Sequence, residues 1–179
     1  MGCSMTLGID ELLESVRKTR DIIRKRDVSL SSITMASLLG SLHELGILTQ
    51  GTVGLLAHYF TPRICAYMLE KGIVNESKSI KENLENAFKA YNYKDGEYSI
   101  EAKEDEVKIE IVSERCKLCP KGVGGAEIKG SACPVPYFIG VCLSILTRRR
   151  WEPELYETPQ GHSAVLKEEG RCKMIIKPR

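Results

Sequence analysis

Hydrophobic positions in the first half of the chain recur at helical spacing. In residues 9–26, IDELLESVRKTRDIIRKR, the residues Ile9, Leu12, Leu13, Val16, Ile22 and Ile23 fall on one broad stripe, the repeat of an amphipathic helix. Acidic residues lead and basic residues trail, the order the helix dipole favours. Asp27 begins a break. A second helix is predicted over about 33–45, capped by Ser31 or Ser32 and ended near Gly46. A third, over about 51–71, contains Pro62, which would kink or divide it because proline lacks an N–H and clashes with the preceding turn. A fourth starts near Ser77 or Ser79 and runs to about Tyr91.

After the polar turn Asn92–Gly96 the period drops to two. Tyr98, Ile100, Val107, Ile109 and Ile111 alternate with polar residues on either side of KEDE, which is a hairpin pattern. Residues 137–146, YFIGVCLSIL, are continuously apolar. Pro134 and Pro136 at the entry and Arg148–Arg150 at the exit favour a buried helix over a buried strand. Three closing strands are predicted at 153–158, 162–168 and 171–177, with a last turn at Glu168–Gly170. Helices, hairpin, helix and strands in that order do not alternate β with α. The expected fold class is therefore α+β, with N-terminal helices packed on an antiparallel sheet and a cysteine-rich, metal-binding loop. A single ligand-binding domain over 1–179 is expected, mainly helical to residue 92 and mixed from 93 to 179.

The chain has 179 residues, enough for one domain with its own core. Its net charge of +2 exerts no strong pull on nucleic acid or on an anionic membrane, so neither is an expected partner. No apolar run is long enough for a membrane-spanning helix, and the charged N-terminal stretch interrupts any secretory leader. The opening residues MGCSMT match a short myristoylation pattern, which is discounted for its brevity. Seven cysteines cannot all pair within the chain. A reducing, cytoplasmic setting is the working expectation, and there closely spaced thiols lean toward metal or redox chemistry.

Three of the cysteines fall in SERCKLCPKGVGGAEIKGSACPVP. Cys116 and Cys119 share a tight turn whose backbone N–H groups can point at the sulfurs and help hold them as thiolates. A borderline-soft ion such as zinc gains two anionic ligands there with little ordering. Cys133 returns after a glycine-rich excursion as a third ligand. The fourth is Cys172, in a strand that could lie beside the one ending at Cys116, or His162; Glu114 offers a weaker oxygen. A thiol-redox motif, an iron–sulfur cluster and simple packing are the competing readings. Cys142, inside the apolar run, and Cys65 read as small buried hydrophobes, and Cys3 as part of a mobile terminus.

The strand leading to Cys116-x2-Cys119-Pro120, then Cys133-Pro134 before an apolar helix with Gly140, then Glu157, and finally Cys172-x3-Ile176, together resemble the 4-vinyl reductase domain family over about residues 80–179. That resemblance implies a small α+β domain, similar in fold to haem nitric-oxide sensors and Golgi transport-particle subunits. It implies a binding site for a hydrophobic or aromatic small molecule beside a cysteine-rich zinc site; stand-alone archaeal members occur. The family often has a cysteine three residues after the glutamate matched by Glu157; here Gln160 stands there, with His162 nearby.

Other residues carry weaker signals. His43 reads as a helix-surface or core histidine. His58, Tyr59 and Phe60 would offer a polar handle and aromatic walls if the third helix lines a pocket. The basic triplet Arg148–Arg150 with Trp151 could touch phosphate, but a solvated helix end is the simpler reading. No Walker loop, dinucleotide fingerprint or nucleophile elbow is found. The leading expectation is a sensor-like small-molecule-binding domain with structural zinc, forming a homodimer and more a binding module than an enzyme. A reductase or accessory protein of tetrapyrrole or aromatic metabolism, and a dimeric scaffold without ligand, are the alternatives.

Overall fold

The computed structural model describes residues 8–128, 132–159 and 161–179. The MGCSMT segment with Cys3, and Gln160, lie outside the described residues. Four helices come first: α1 (Ile9–Arg26), α2 (Leu30–Glu44), α3 (Gln50–Glu70) and α4 (Ile80–Ala90). The hairpin β1 (Tyr98–Ala102) and β2 (Val107–Val112) follows, then a 3₁₀ turn at Ser113–Arg115 and α5 (Val135–Thr147). The chain closes with β3 (Trp151–Pro153), β4 (Tyr156–Thr158), β5 (Gly161–Ser163), β6 (Leu166–Glu168) and β7 (Arg171–Pro178). The fold is α+β, and every strand pair is antiparallel.

Local chemistry sets the helix boundaries. Asp27 turns left-handed, at φ 50°, and ends α1. The cap of α2 is Ser29, whose hydroxyl accepts the Ser32 N–H. It is neither Ser31 nor Ser32, because Ser32 is already buried in the first turn. Three successive helices end in the same device. The N–H groups of Ile47, Ile73 and Tyr93 reach back to the carbonyls of Leu42, Met68 and Phe88 across left-handed Gly46, Gly72 and Asn92, which satisfies carbonyls the helix end would leave open. The third of these turns delivers Tyr93 into the core. Pro62 does not divide α3; on the exposed side the Arg63 guanidinium donates to the Tyr59 carbonyl.

β7 is the central strand. One edge pairs with β2 from Val107↔Ile176 to Val112↔Arg171. Its other edge is shared end to end by β6 at residues 171–173 and β3 at 176–178. The β4–β5 hairpin forms a separate two-stranded sheet. The strands expected at 153–158 and 162–168 are thus each broken. At the second break the Ser163 hydroxyl bonds both the N–H and the carbonyl of Val165, a local turn that competes with strand pairing. The β6–β7 turn carries Glu169 and Gly170 at φ 48° and 74°, the positive pair a tight hairpin requires.

On the inner face of the sheet, Val107, Ile109, Ile111, Met174 and Ile176 are buried against Leu84 and Phe88 of α4 and Ile139 and Leu143 of α5. α5 in turn packs on α3. α1 is different: its stripe of Ile9, Leu12, Leu13 and Val16 is exposed, and the element it packs on is the 3₁₀ turn, at its C-terminal end.

Gly140 lets α5 lie directly on β3. A Cβ there would stand 2.9 Å from the Trp151 carbonyl oxygen. The approach is fixed by the Ser144 hydroxyl, which donates to the Gly140 carbonyl and accepts the Trp151 N–H. Gly140→Ala is expected to destabilise the fold by about 1–3 kcal/mol through this overpacking; an unchanged denaturant midpoint would show that the helix can lift away freely.

Candidate functional site

The cysteine segment hangs from the end of β2 and closes under the C-terminus of α1. Arg26 Nη1 donates to the carbonyls of Ser113 and Cys116, at 3.0 and 2.9 Å. In return Arg115 donates to the Lys25 carbonyl at 2.5 Å and Lys117 to the Arg26 carbonyl. Cations at the last carbonyls of a helix complement its dipole. Lys117 is wholly buried, and its ammonium also pairs with Glu97 at 3.2 Å and lies 5.8 Å from the centre of the Tyr93 ring.

Four cysteines line one small cavity: Cys116, Cys119, Cys133 and Cys172. Cys116 and Cys119 come from the turn after β2, and Cys133 stands just before α5. Cys172 is opposite Ile111 in the β2–β7 ladder, so the two-residue alternation puts it on the buried face with Met174 and Ile176. The sheet floor is Ile111 and Met174, and Lys121 and Lys167 stand at the wall. The cavity is about 30 Å³, room for an ion or one or two waters at about 10–15 Å³ each. His162 is elsewhere, exposed on β5 opposite Glu157, and Glu114 is exposed in the 3₁₀ turn.

The sulfurs feel one another. Burial, then the neighbouring Cys119, pushes the Cys116 thiol up to about 12. Cys133 is driven well above the ordinary thiol range by burial and by Cys116 and Cys119. Cys172 is raised by burial, against the opposing pull of Lys167. Without a cation these thiols hold their protons; a divalent ion would supply the missing charge and displace them. Donors suited to thiolates are already aimed. The Gly122 N–H donates to Cys119 Sγ at 3.2 Å, and the Tyr93 hydroxyl to Cys116 Sγ at 3.5 Å. Backbone N–H groups of Leu118 and Val135 serve Cys116 and Cys133. Such outer bonds orient metal ligands. Among the described residues no group of three or more His, Cys, Asp or Glu is already arranged to hold a metal ion. The donor set fits a soft divalent ion, and the sulfurs share a cavity rather than a completed coordination shell.

A second cavity, of about 70 Å³, lies between α3, α4 and α5 and is almost wholly apolar. Thr61, Ile64 and Met68 of α3 line it, with Phe88, Ile139 and Leu143 opposite. The third helix does border a cavity, but His58 and Tyr59 face outward and Phe60 packs edge-on against Phe138. Thr61 Oγ1 is buried there with no hydrogen-bond partner. Asn83, also on this wall, is satisfied by Asn75 and Lys78. Tyr93, Leu118 and Val135 are walls of this cavity too, so the cysteine segment separates the two spaces. No pattern in the sequence marked Thr61, because an isolated threonine on a helix is unremarkable until the packing around it is known.

Fold and site together define an α+β domain with a four-cysteine pocket backed by an apolar cavity. The chain belongs to the MJ0207 family, which matches residues 46–178, from the end of α2 to the end of β7. The "Uncharacterized protein MJ1342" of Methanocaldococcus jannaschii is 41% identical over 73 residues. That stretch is 41% of this chain and 61% of the relative, so the chain spans less than two thirds of that protein's length. No solved structure matches the chain.

Tyr93 both donates to Cys116 and accepts the Lys117 N–H at 3.0 Å. Tyr93→Phe strands that buried N–H, and a loss of about 1–3 kcal/mol is expected in denaturant melts; wild-type stability would show that the hydroxyl does not hold the turn.

Proposed function

We propose that the protein is a small-molecule-binding, sensor-like domain of the 4-vinyl reductase type, acting in the cytoplasm, with zinc held by Cys116, Cys119, Cys133 and Cys172. The observation that carries this reading is the unpartnered hydroxyl of Thr61 in an otherwise apolar cavity. A buried hydroxyl without a partner costs about 1–3 kcal/mol, and a ligand bearing one hydrogen-bonding group would remove that cost. An apolar molecule with a single polar substituent, such as a substituted aromatic, fits the lining.

Size limits the mode of binding. A cavity of about 150 Å³ takes up benzene, and this one is less than half of that, at about 70 Å³. A ring enters only as α3 and α5 shift apart. That movement displaces Leu118 of the cysteine turn together with Val135 and Tyr93 beside it, and this is how occupancy would be passed on. Zinc with four protein sulfurs has no open position, so it would pin the loop rather than react.

Elemental analysis and native mass spectrometry of the purified protein test both halves. Zinc near one per chain is expected, lost with a lower melting temperature in Cys116→Ser and retained in Cys142→Ala. Thr61→Val should keep or raise stability while weakening phenol binding about tenfold, the worth of one neutral hydrogen bond. Metal-free protein whose cysteine variants melt like wild type would remove the zinc, and equal phenol affinity in Thr61→Val would remove the ligand assignment.

The homodimeric reading is favoured by a separate observation. Ile9, Leu12, Leu13 and Val16 of α1, Leu38 of α2, Leu45 just after it and Leu55 of α3 are all exposed, and the four on α1 share one helical stripe, an apolar face of the kind that a second copy covers. Light scattering is expected to give the mass of two chains, falling to one in Leu13→Glu/Val16→Glu; a monomeric wild type would exclude this role for the helices.

A further inference from the structure

Away from the four-cysteine cavity, the structure holds two more thiols in contact. Cys65 of α3 and Cys142 of α5 are both buried, and their sulfurs are 2.7 Å apart. A disulfide bond is about 2.05 Å, so closing it requires a movement of roughly 0.7 Å. Met68, Val74 and Leu146 surround the pair and exclude competing nucleophiles. Neither residue lines the four-cysteine cavity, so this contact is independent of any metal there.

We propose that Cys65 and Cys142 are a redox pair that a peroxide-class oxidant joins into a disulfide, stapling α3 to α5. Cys142 lines the apolar cavity and meets the oxidant first. Its sulfur attacks the peroxide O–O bond and becomes a sulfenic acid; the other oxygen leaves as water with the thiol proton. Cys65 then attacks the sulfenic sulfur, its proton leaves with the displaced hydroxyl as a second water, and the S–S bond forms. Two thiols and one hydrogen peroxide thus give one disulfide and two waters, each sulfur oxidised by one electron and the peroxide reduced by two. A cytoplasmic disulfide of this kind is reversible and redox-sensing in character. The staple crosses the wall that must part for a ring to enter, so oxidation would also close the apolar cavity to ligands; this second consequence rests on the ligand-binding reading above.

The full chain, purified reduced, freed of reductant and treated with hydrogen peroxide, is denatured in iodoacetamide and digested. A linked peptide pair containing Cys65 and Cys142 is expected, reversed by dithiothreitol and absent from Cys65→Ala and Cys142→Ala. The linked wild type should melt about 5–15 °C higher than the reduced form. Alkylation of both residues after treatment, linkage to other cysteines instead, or an unchanged melting temperature in fully linked protein would each overturn the staple. Uptake of the fluorescent probe N-phenyl-1-naphthylamine should be several-fold weaker in the linked form. Equal uptake removes the gate alone, whereas uptake by neither form removes the cavity reading and the gate together, with the staple still decided by mass.

Discussion

One buried cation organises the cysteine segment. Lys117 stands between the two cysteines of the tight turn, fully removed from solvent, with its charge met by Glu97 and the Arg26 carbonyl and its ammonium over the Tyr93 ring. A lysine so placed is tolerated only because each element around it contributes: the C-terminal end of α1, the start of β1 and the turn after α4. Leaving one member of such a buried pair without the other costs several kcal/mol. The arrangement therefore demands that these three distant segments arrive together, and their arrival sets where Cys116 and Cys119 point.

From that anchor the two cavities follow. The turn faces its sulfurs toward the sheet, where Cys133 and Cys172 complete the lining, and turns Leu118 toward the helices, where it walls the apolar space. Tyr93 belongs to both, with its ring in the apolar wall and its hydroxyl on Cys116. A change of volume on one side cannot leave the other undisturbed, because close-packed interiors transmit small displacements. Through this shared wall a change of volume in the apolar space reaches the cysteine turn directly, by way of Leu118 and Tyr93.

Much of the fold was legible from periodicity. The limits of α1, the β1–β2 hairpin and the helical character of residues 137–146 followed from hydrophobic spacing and flanking prolines and arginines. The Cys116, Cys119 and Cys133 group was legible because their spacing and the glycine-rich excursion bring them back to one another with little chain. Cys172 was placed near them through its strand, expected beside the one that ends at Cys116, and β7 does pair with β2. Other features were not. The strands near 153–158 and 162–168 read as continuous because β-propensity cannot register Ser163 folding back on Val165. The stripe of α1 marked an amphipathic helix, yet it is exposed, since amphipathicity marks a surface to be covered without saying what covers it.

Sequence alone determined the local geometry: which segments coil, which extend, where glycine or asparagine must turn left-handed, and which thiols share a turn. Those properties depend on neighbours a few residues away, and their chemistry is written in order along the chain. Tertiary structure alone decided that Thr61 would be buried without a partner, that Cys65 would meet Cys142, and that Tyr93 would divide two cavities. Each of these depends on how α3, α4 and α5 settle against the sheet. That packing is a collective balance of burial, close approach at residues such as Gly140, and a few buried polar bonds, which no single stretch of residues encodes.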